Sequence, residues 1–186
     1  MKLKKSHISN IITIAFIALL IIPQTRKPIQ LALNRVVAMF SSVDTLSEKK
    51  VLEDYEWSLK DDKGNEVNFE SLKGKVILVN LWATWCPPCI AELPSMEKLY
   101  NDYGNQVTFL FISNENQSVT EQFLAKRKIV IPSYMPTSVN PPQLSSNSIP
   151  ATYIIDKDGM IQVRKIGAAN WNSDGVRKLL DELIAQ

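Results

Sequence analysis

The chain has 186 residues, 45% of them hydrophobic, and a formal net charge of +2. So small a charge sets up no field for nucleic acid, and no RNA- or DNA-binding module or sequence repeat is visible, which excludes a nucleic-acid partner. The single histidine, His7, lies near the N-terminus, so histidine-based catalysis is excluded from the rest of the chain.

Lys2, Lys4 and Lys5 precede an almost unbroken apolar run over residues 8–22, which ends at Pro23. The run is short for a full span, but flanking Lys and His side chains can snorkel and the bilayer can thin locally. Pro23-Gln24-Thr25-Arg26 comes after it in place of a small-x-small cleavage signature. Residues 1–24 are therefore expected to be an uncleaved signal anchor, with a cleaved signal peptide as the competing reading. Because this is the first apolar segment, the rest of the chain is expected outside the cytoplasm. A long C-terminal domain is translocated largely regardless of charges such as Arg26, Lys27 and Arg35. Residues 25–50 read as a spacer and linker. Ile29, Leu33, Val36, Val37 and Phe40 repeat there at helical spacing, either as a helix on the membrane surface or as a plain helical spacer. Residues 41–50 are polar. The remaining 51–186 suits one domain with one core.

Within that domain, short strands are expected over 56–59 and 66–69, around the turn Asp61-Asp62-Lys63-Gly64-Asn65. Residues 75–82, KVILVNLW, form the continuous apolar run of a central strand buried on both faces. A loop over 83–86 leads into a helix over 87–103. Prolines are tolerated at its start, where the first N–H groups have no internal partner, and Gly104 fits its stop. Residues 107–112 repeat the buried-strand pattern. A helix over 118–128 opens on a capping box of Ser118 and Glu121. Residues 131–150, rich in Pro and Ser, read as irregular. Strands over 152–155 and 160–166 form a hairpin around Asp156-Lys157-Asp158-Gly159. The last helix starts at Asn172 or Ser173, with Val176, Leu179, Leu180, Leu183 and Ile184 on one face. This order gives an α/β domain with a parallel pair joined by a right-handed crossover, antiparallel strands added by the hairpin, and helices on both faces of a mixed sheet. Active loops in such sheets lie at the carboxyl ends of the parallel strands, and Cys86 falls there.

Cys86 and Cys89 are the two cysteines. Closing so short a loop stabilises little. One pair supplies only two of the four ligands of a structural zinc site. Covalent haem attachment needs a histidine where Ile90 stands. Neither a metal nor a cofactor is expected, and reversible dithiol chemistry remains. Cys86 would stand at the helix start, where the macrodipole favours a thiolate. Cys89, one turn in, could attack a mixed disulfide from behind. Pro87 and Pro88 restrict the ring and remove two N–H donors from the thiolate, so Cys86 is expected to be less acidic than in a pair without prolines. Trp85 offers an aromatic contact beside the dithiol, whereas Trp82 belongs to the core. Pro94 lies inside the helix and removes one backbone bond to the Ile90 carbonyl.

VNLWATWCPPCIAELP (residues 79–94) followed by SIPATYIIDKDG (residues 148–159) resembles the TlpA/ResA-type family, membrane-tethered thioredoxin-like proteins of the bacterial envelope. The similarity runs from about Tyr55 to the C-terminus and implies a thioredoxin-like fold. It maps Pro150 onto the family's cis-proline, facing the cysteine pair and leaving the Ile149 backbone to pair with an extended substrate. The wider thioredoxin family has a buried acid where this sequence has Asn80, an amide that takes no proton at neutral pH. In TlpA/ResA-like members the active-site acid follows the second cysteine by three residues, which maps to Glu92. Cys89 and Glu92 then share a helix face, and Glu92 is expected to accept the Cys89 proton. The bland reading of Glu92 is an exposed first-turn acid complementing the dipole.

The expected function is reduction of disulfides in exported proteins, apocytochrome c before haem attachment among them. Electrons would come from a membrane thiol donor, and the chain would act as a monomer. A net thiol oxidant and a non-catalytic binding module on the same scaffold are the alternatives. The lone cysteine in a P-x-x-x-T-x-x-C setting that marks a peroxidase is absent.

Overall fold

The computed structural model describes residues 10, 13–14, 23–46 and 50–186. The expected anchor, residues 1–24, lies almost wholly outside the described residues. No helix among the described residues is long and apolar enough to cross a membrane. Chain order is α1 (Pro23–Phe40), β1 (Lys50–Val51), β2 (Ser58–Lys60), β3 (Glu66–Asn68), a 3-10 helix (Phe69–Leu72), β4 (Val76–Leu81), α2 (Pro87–Tyr103), β5 (Val107–Ile112), α3 (Gln117–Arg127), β6 (Ser133–Pro136), a second 3-10 helix (Pro142–Leu144), β7 (Ala151–Ile155), β8 (Met160–Ile166) and α4 (Asp174–Ala185).

The strands lie in the order β1-β8-β7-β4-β5-β6-β2-β3. β4, β5 and β6 run parallel, and all other neighbours are antiparallel. β4 is central, and its continuous apolar run fills both faces. Val76 and Leu78 join the core on one side, and Ile77 and Val79 the core on the other, because successive side chains of a strand alternate.

The α-helices do not divide between the two faces as expected. Side chains from α2, α3 and α4 all enter the core of Val76 and Leu78. The opposite core contains none of them and is closed by Leu52, Trp57, Phe69, Leu72 and Leu144, three of which lie in the two 3-10 helices. The strand order explains this. The crossovers β4-α2-β5 and β5-α3-β6 step the same way across the sheet, so right-handed connections put both helices on one side. Leu93, Met96 and Leu99 of α2 are fully buried there. Each such side chain contributes about 2 kcal/mol by its burial. Their packing fixes the axis of α2 and with it the place of Cys86.

Other expectations also change. Residues 131–150 are not wholly irregular, since Ser133 of β6 lies opposite Phe111 of β5 and Pro136 opposite Leu59 of β2. The capping box does not form. Asn116 takes the cap position of α3 without a side-chain hydrogen bond, which leaves Ser118 inside the helix. α1 packs along α2 with Ala38 buried, while Leu33, Val36 and Val37 of the apolar stripe are 60%, 53% and 63% exposed. These three residues of the stripe therefore face away from the domain. Past α1, the Leu46 N–H donates to the Gln162 carbonyl of β8 at 2.8 Å.

Candidate active site

β4 ends at Leu81, and a short loop delivers Cys86 to the N-cap of α2, with Pro87 and Pro88 as its first two helical residues. Cys86 and Cys89 are joined in a disulfide, Cα atoms 5.3 Å apart. Cys86 is 3% exposed and Cys89 fully buried. The Cys89 N–H donates to Cys86 Sγ at 3.3 Å. Pro87 and Pro88 have no N–H to add, so the sulfur at this helix start has fewer donors than its position offers. The Ile149–Pro150 bond is cis, and the Ile149 carbonyl oxygen lies 3.7 Å from Cys86 Sγ. Trp85 is 70% exposed beside the pair, while Trp82 is buried and meets Phe123 at 5.9 Å between ring centroids.

Glu92 is 1% exposed, so the exposed-acid reading is excluded. It is inside the protein and hydrogen-bonded at both carboxyl oxygens. Oε1 accepts from Asn80 Nδ2 at 2.9 Å. Oε2 accepts from the Ala169 N–H at 3.2 Å and from Trp171 Nε1 at 2.9 Å. Asn80, in β4, also donates to Thr152 Oγ1 of β7 at 2.8 Å. Burial pushes the Glu92 carboxyl up to about 7, against the opposing effect of the bonds from Trp171, Asn80 and Ala169. A group poised there can take and return a proton near neutral pH.

Ala169 and Trp171 were not legible as site residues. They lie in the loop between β8 and α4, 77 and 79 residues from Glu92. Ser95 docks that loop. Its hydroxyl donates to the Glu92 carbonyl at 2.7 Å and accepts from the Trp171 N–H at 3.2 Å, one residue after Pro94 inside α2.

A second acid unseen in the sequence braces the active loop. Glu115 accepts from the Thr84 N–H at 2.6 Å and from the Thr84 hydroxyl at 2.7 Å, two residues before Cys86. Glu115→Ala is expected to lose about 1–3 kcal/mol, since it takes the acceptor from both Thr84 donors and from the Ser113 hydroxyl, and to slow thiol exchange, while Glu115→Gln keeps an acceptor and loses less. Urea unfolding and exchange rates of the two variants measure this. A cavity of about 760 Å³ opens alongside, lined by Trp85, Ile149, Glu115, Ser138 and Val139 among others. The stretch read as irregular thus supplies a wall of the groove next to the dithiol. Among the described residues no cluster of His, Cys, Asp and Glu could hold a metal ion.

Residues 53–164, which include the dithiol, Glu92 and Pro150, match the AhpC/TSA family model. The chain belongs to the AhpC/TSA family. It is 30% identical over 116 residues to the thioredoxin-like protein YneN of Bacillus subtilis, covering 60% of this chain and 68% of YneN. It is also 30% identical over 106 residues to the thiol-disulfide oxidoreductase ResA of Halalkalibacterium halodurans. That alignment covers 55% of this chain and 60% of ResA, less than two thirds of the relative's length. A crystal structure of a thiol:disulfide interchange protein of the thioredoxin family from Chlorobium tepidum superposes with a TM-score of 0.59 at 24% identity. It covers 74% of this AhpC/TSA chain and 99% of the other, which shows the thioredoxin-like fold. Family, fold and the Cys86–Cys89 disulfide together make the enzyme class thiol–disulfide oxidoreductase, in agreement with the resemblance read from residues 79–94 and 148–159.

Proposed function

We propose that the chain reduces disulfides in exported proteins, with apocytochrome c before haem attachment among its substrates. Its domain works outside the cytoplasm, tethered by residues 1–24, and a membrane thiol donor restores the dithiol. The observation that supports this best is the pairing of a cysteine sulfur at a helix start, beside a groove, with a buried acid near pKa 7 one turn past the second cysteine.

In the reaction, the Cys86 thiolate attacks a substrate disulfide. One substrate sulfur leaves as a thiolate, and a Cys86–substrate mixed disulfide forms. Glu92 accepts the Cys89 proton, and the Cys89 thiolate attacks Cys86 Sγ. The Cys86–Cys89 bond closes and the second substrate sulfur leaves. The substrate has gained two electrons and the enzyme has lost them. An extended segment would lie in the groove, paired to the Ile149 backbone beside Pro150 and contacting Trp85.

Direction depends on how well the thiolate is stabilised. A strong oxidant needs a stabilised reduced form, and a less stabilised one gives a lower potential. Pro87 and Pro88 withhold two N–H groups from Cys86 Sγ, which leaves the Cys89 N–H as its backbone donor. The pair is therefore expected to equilibrate well below the roughly −120 mV of a strong oxidant, and to be trapped reduced in growing cells. Equilibration against glutathione and acid trapping measure the two. A pair near the oxidant value and found oxidised in cells would falsify the reductant reading in favour of a net oxidant. An impermeant thiol reagent that fails to label Cys86 in intact spheroplasts would count against the extracytoplasmic placement.

A further inference from the structure

We propose that Trp171 and Ala169 confine the Glu92 proton to Oε1 and that the Asn80 side chain turns over to receive it, so that Asn80 partners both protonation states of the acid. The inference deepens the role given to Glu92 above and rests on it for its place in catalysis.

The two carboxyl oxygens of Glu92 are not equivalent. Oε2 faces two donors, the Ala169 backbone N–H at 3.2 Å and Trp171 Nε1 at 2.9 Å. Neither group can accept a hydrogen bond, since a backbone N–H and an indole N–H only donate. A proton on Oε2 would point at another proton. The neutral acid therefore carries its proton on Oε1. There the partner is Asn80 Nδ2 at 2.9 Å, which is also a donor in this arrangement.

Asn80 can resolve that conflict. Its Nδ2 spends both hydrogens, on Glu92 Oε1 and on Thr152 Oγ1 at 2.8 Å. Its Oδ1 is buried and has no hydrogen-bond partner, in a residue with no exposure. A half-turn of the amide brings Oδ1 to where Nδ2 stood. It then accepts from the protonated Glu92 Oε1 and from the Thr152 hydroxyl, which donates as readily as it accepts. Two bonds exist before the turn and two after, and one amide atom goes unpaired in each state. The terminal torsion of Asn is broad and roughly two-fold, so both orientations are accessible. An Ala or Leu at position 80 could serve neither state.

Among the described residues, no charged side chain is hydrogen-bonded to the Glu92 carboxyl. β4 and β7 present the neutral Asn80 and Thr152 to the carboxyl. On α2, Cys89 is held in the disulfide and carries no ionisable thiol in the oxidised protein. Arg35 of α1 and Lys98 of α2 line a neighbouring cavity together with Ala91, Ala169 and Asn170. The causes that shift Glu92 are its burial and the three hydrogen bonds.

The test is a pH titration by nuclear magnetic resonance of the full chain, isotope-labelled and oxidised, in detergent micelles. The Asn80 side-chain amide is expected to shift with the midpoint of the Glu92 carboxyl carbon, while the Trp171 indole proton stays hydrogen-bonded on both sides of it. An Asn80 amide that does not respond through that midpoint overturns the turnover. Trp171→Phe removes a donor that serves the carboxylate and should raise the midpoint by about one unit. Asn80→Ala removes a partner of both states and should move it much less. Equal shifts in the two variants overturn the dual role of Asn80, and an unmoved midpoint in Trp171→Phe overturns the confinement to Oε1. The oxidation rate of the dithiol in Glu92→Gln separates this inference from the catalytic reading. An unchanged pH profile there removes Glu92 from proton transfer and this inference from catalysis with it, whatever the titration shows of Asn80.

Discussion

Cys89→Ser is expected to accumulate mixed disulfides with its substrates, and Cys86→Ser to form none and to show no exchange above background. Burial and position set this asymmetry. Cys86 caps α2 beside the groove, whereas Cys89 is fully buried one turn further in. An incoming disulfide would therefore meet Cys86, and only an adduct on Cys86 would bring a sulfur within reach of Cys89. Without Cys89 the adduct has no internal attacker and must await an outside thiol. Both variants should remain folded, because closing a loop over two intervening residues restricts the unfolded chain little. Non-reducing electrophoresis of cell extracts, with and without dithiothreitol, reads the adducts. Equal trapping by Cys86→Ser would reverse the assignment of attacking and resolving sulfur.

The parts of the fold that depend on local pattern were legible. β4, α2 and β5 were expected within a residue of where they occur, because a buried central strand and a proline-started helix have strong local signatures. The hairpin of β7 and β8 was marked by its Asp-Lys-Asp-Gly turn. β6 was missed because it is only four residues long, follows Pro132, ends on Pro136 and has no alternating apolar pattern. It is a strand through pairing with β5 and β2, which no local window contains. Ser118 and Glu121 have the spacing of a capping box, but α3 begins one residue early at Gln117, and the motif then lies inside the helix. The stripe on α1 was a true helical repeat whose direction the sequence could not give. Leu33, Val36 and Val37 face outward while Ala38 packs inward.

The site divides the same way. Cys86, Cys89 and Glu92 lie within seven residues on one helix and its cap, so spacing alone brings them together. The partners that determine what Glu92 can do arrive through tertiary structure: Asn80 from β4, Ala169 and Trp171 from the loop before α4. No spacing rule links position 92 to position 171. The one hint was negative, an amide at position 80 where the wider family has an acid, and it pointed to a displaced proton carrier without saying what would surround it.

Those surroundings give Glu92→Gln a distinctive effect on stability. The Glu92 carboxyl titrates at about 7 in the folded protein, raised from its ordinary 4.5 by burial. Below the ordinary value both folded and unfolded chains hold the proton, and the stability associated with the neutral acid is fully present. Between the two values the unfolded chain has released its proton and the folded chain keeps it, so rising pH draws the equilibrium toward unfolding. Above about 7 the loss is complete. The interval corresponds to about 3 kcal/mol. The glutamine side chain of the variant does not ionise and should escape this loss. Its carbonyl oxygen can take the place of Oε2 and accept from Ala169 and Trp171. Its amide can take the place of Oε1 and donate to a turned Asn80. The gap between variant and parent should therefore widen in the variant's favour by about 3 kcal/mol between roughly pH 4 and pH 8, while its thiol exchange is expected to be slower. Urea unfolding of both oxidised proteins across that range measures the gap, and the difference cancels groups that titrate alike in the two. Parallel curves would mean that Glu92 ionises in the fold as readily as in water, and the burial that holds its proton near neutrality would have no thermodynamic consequence.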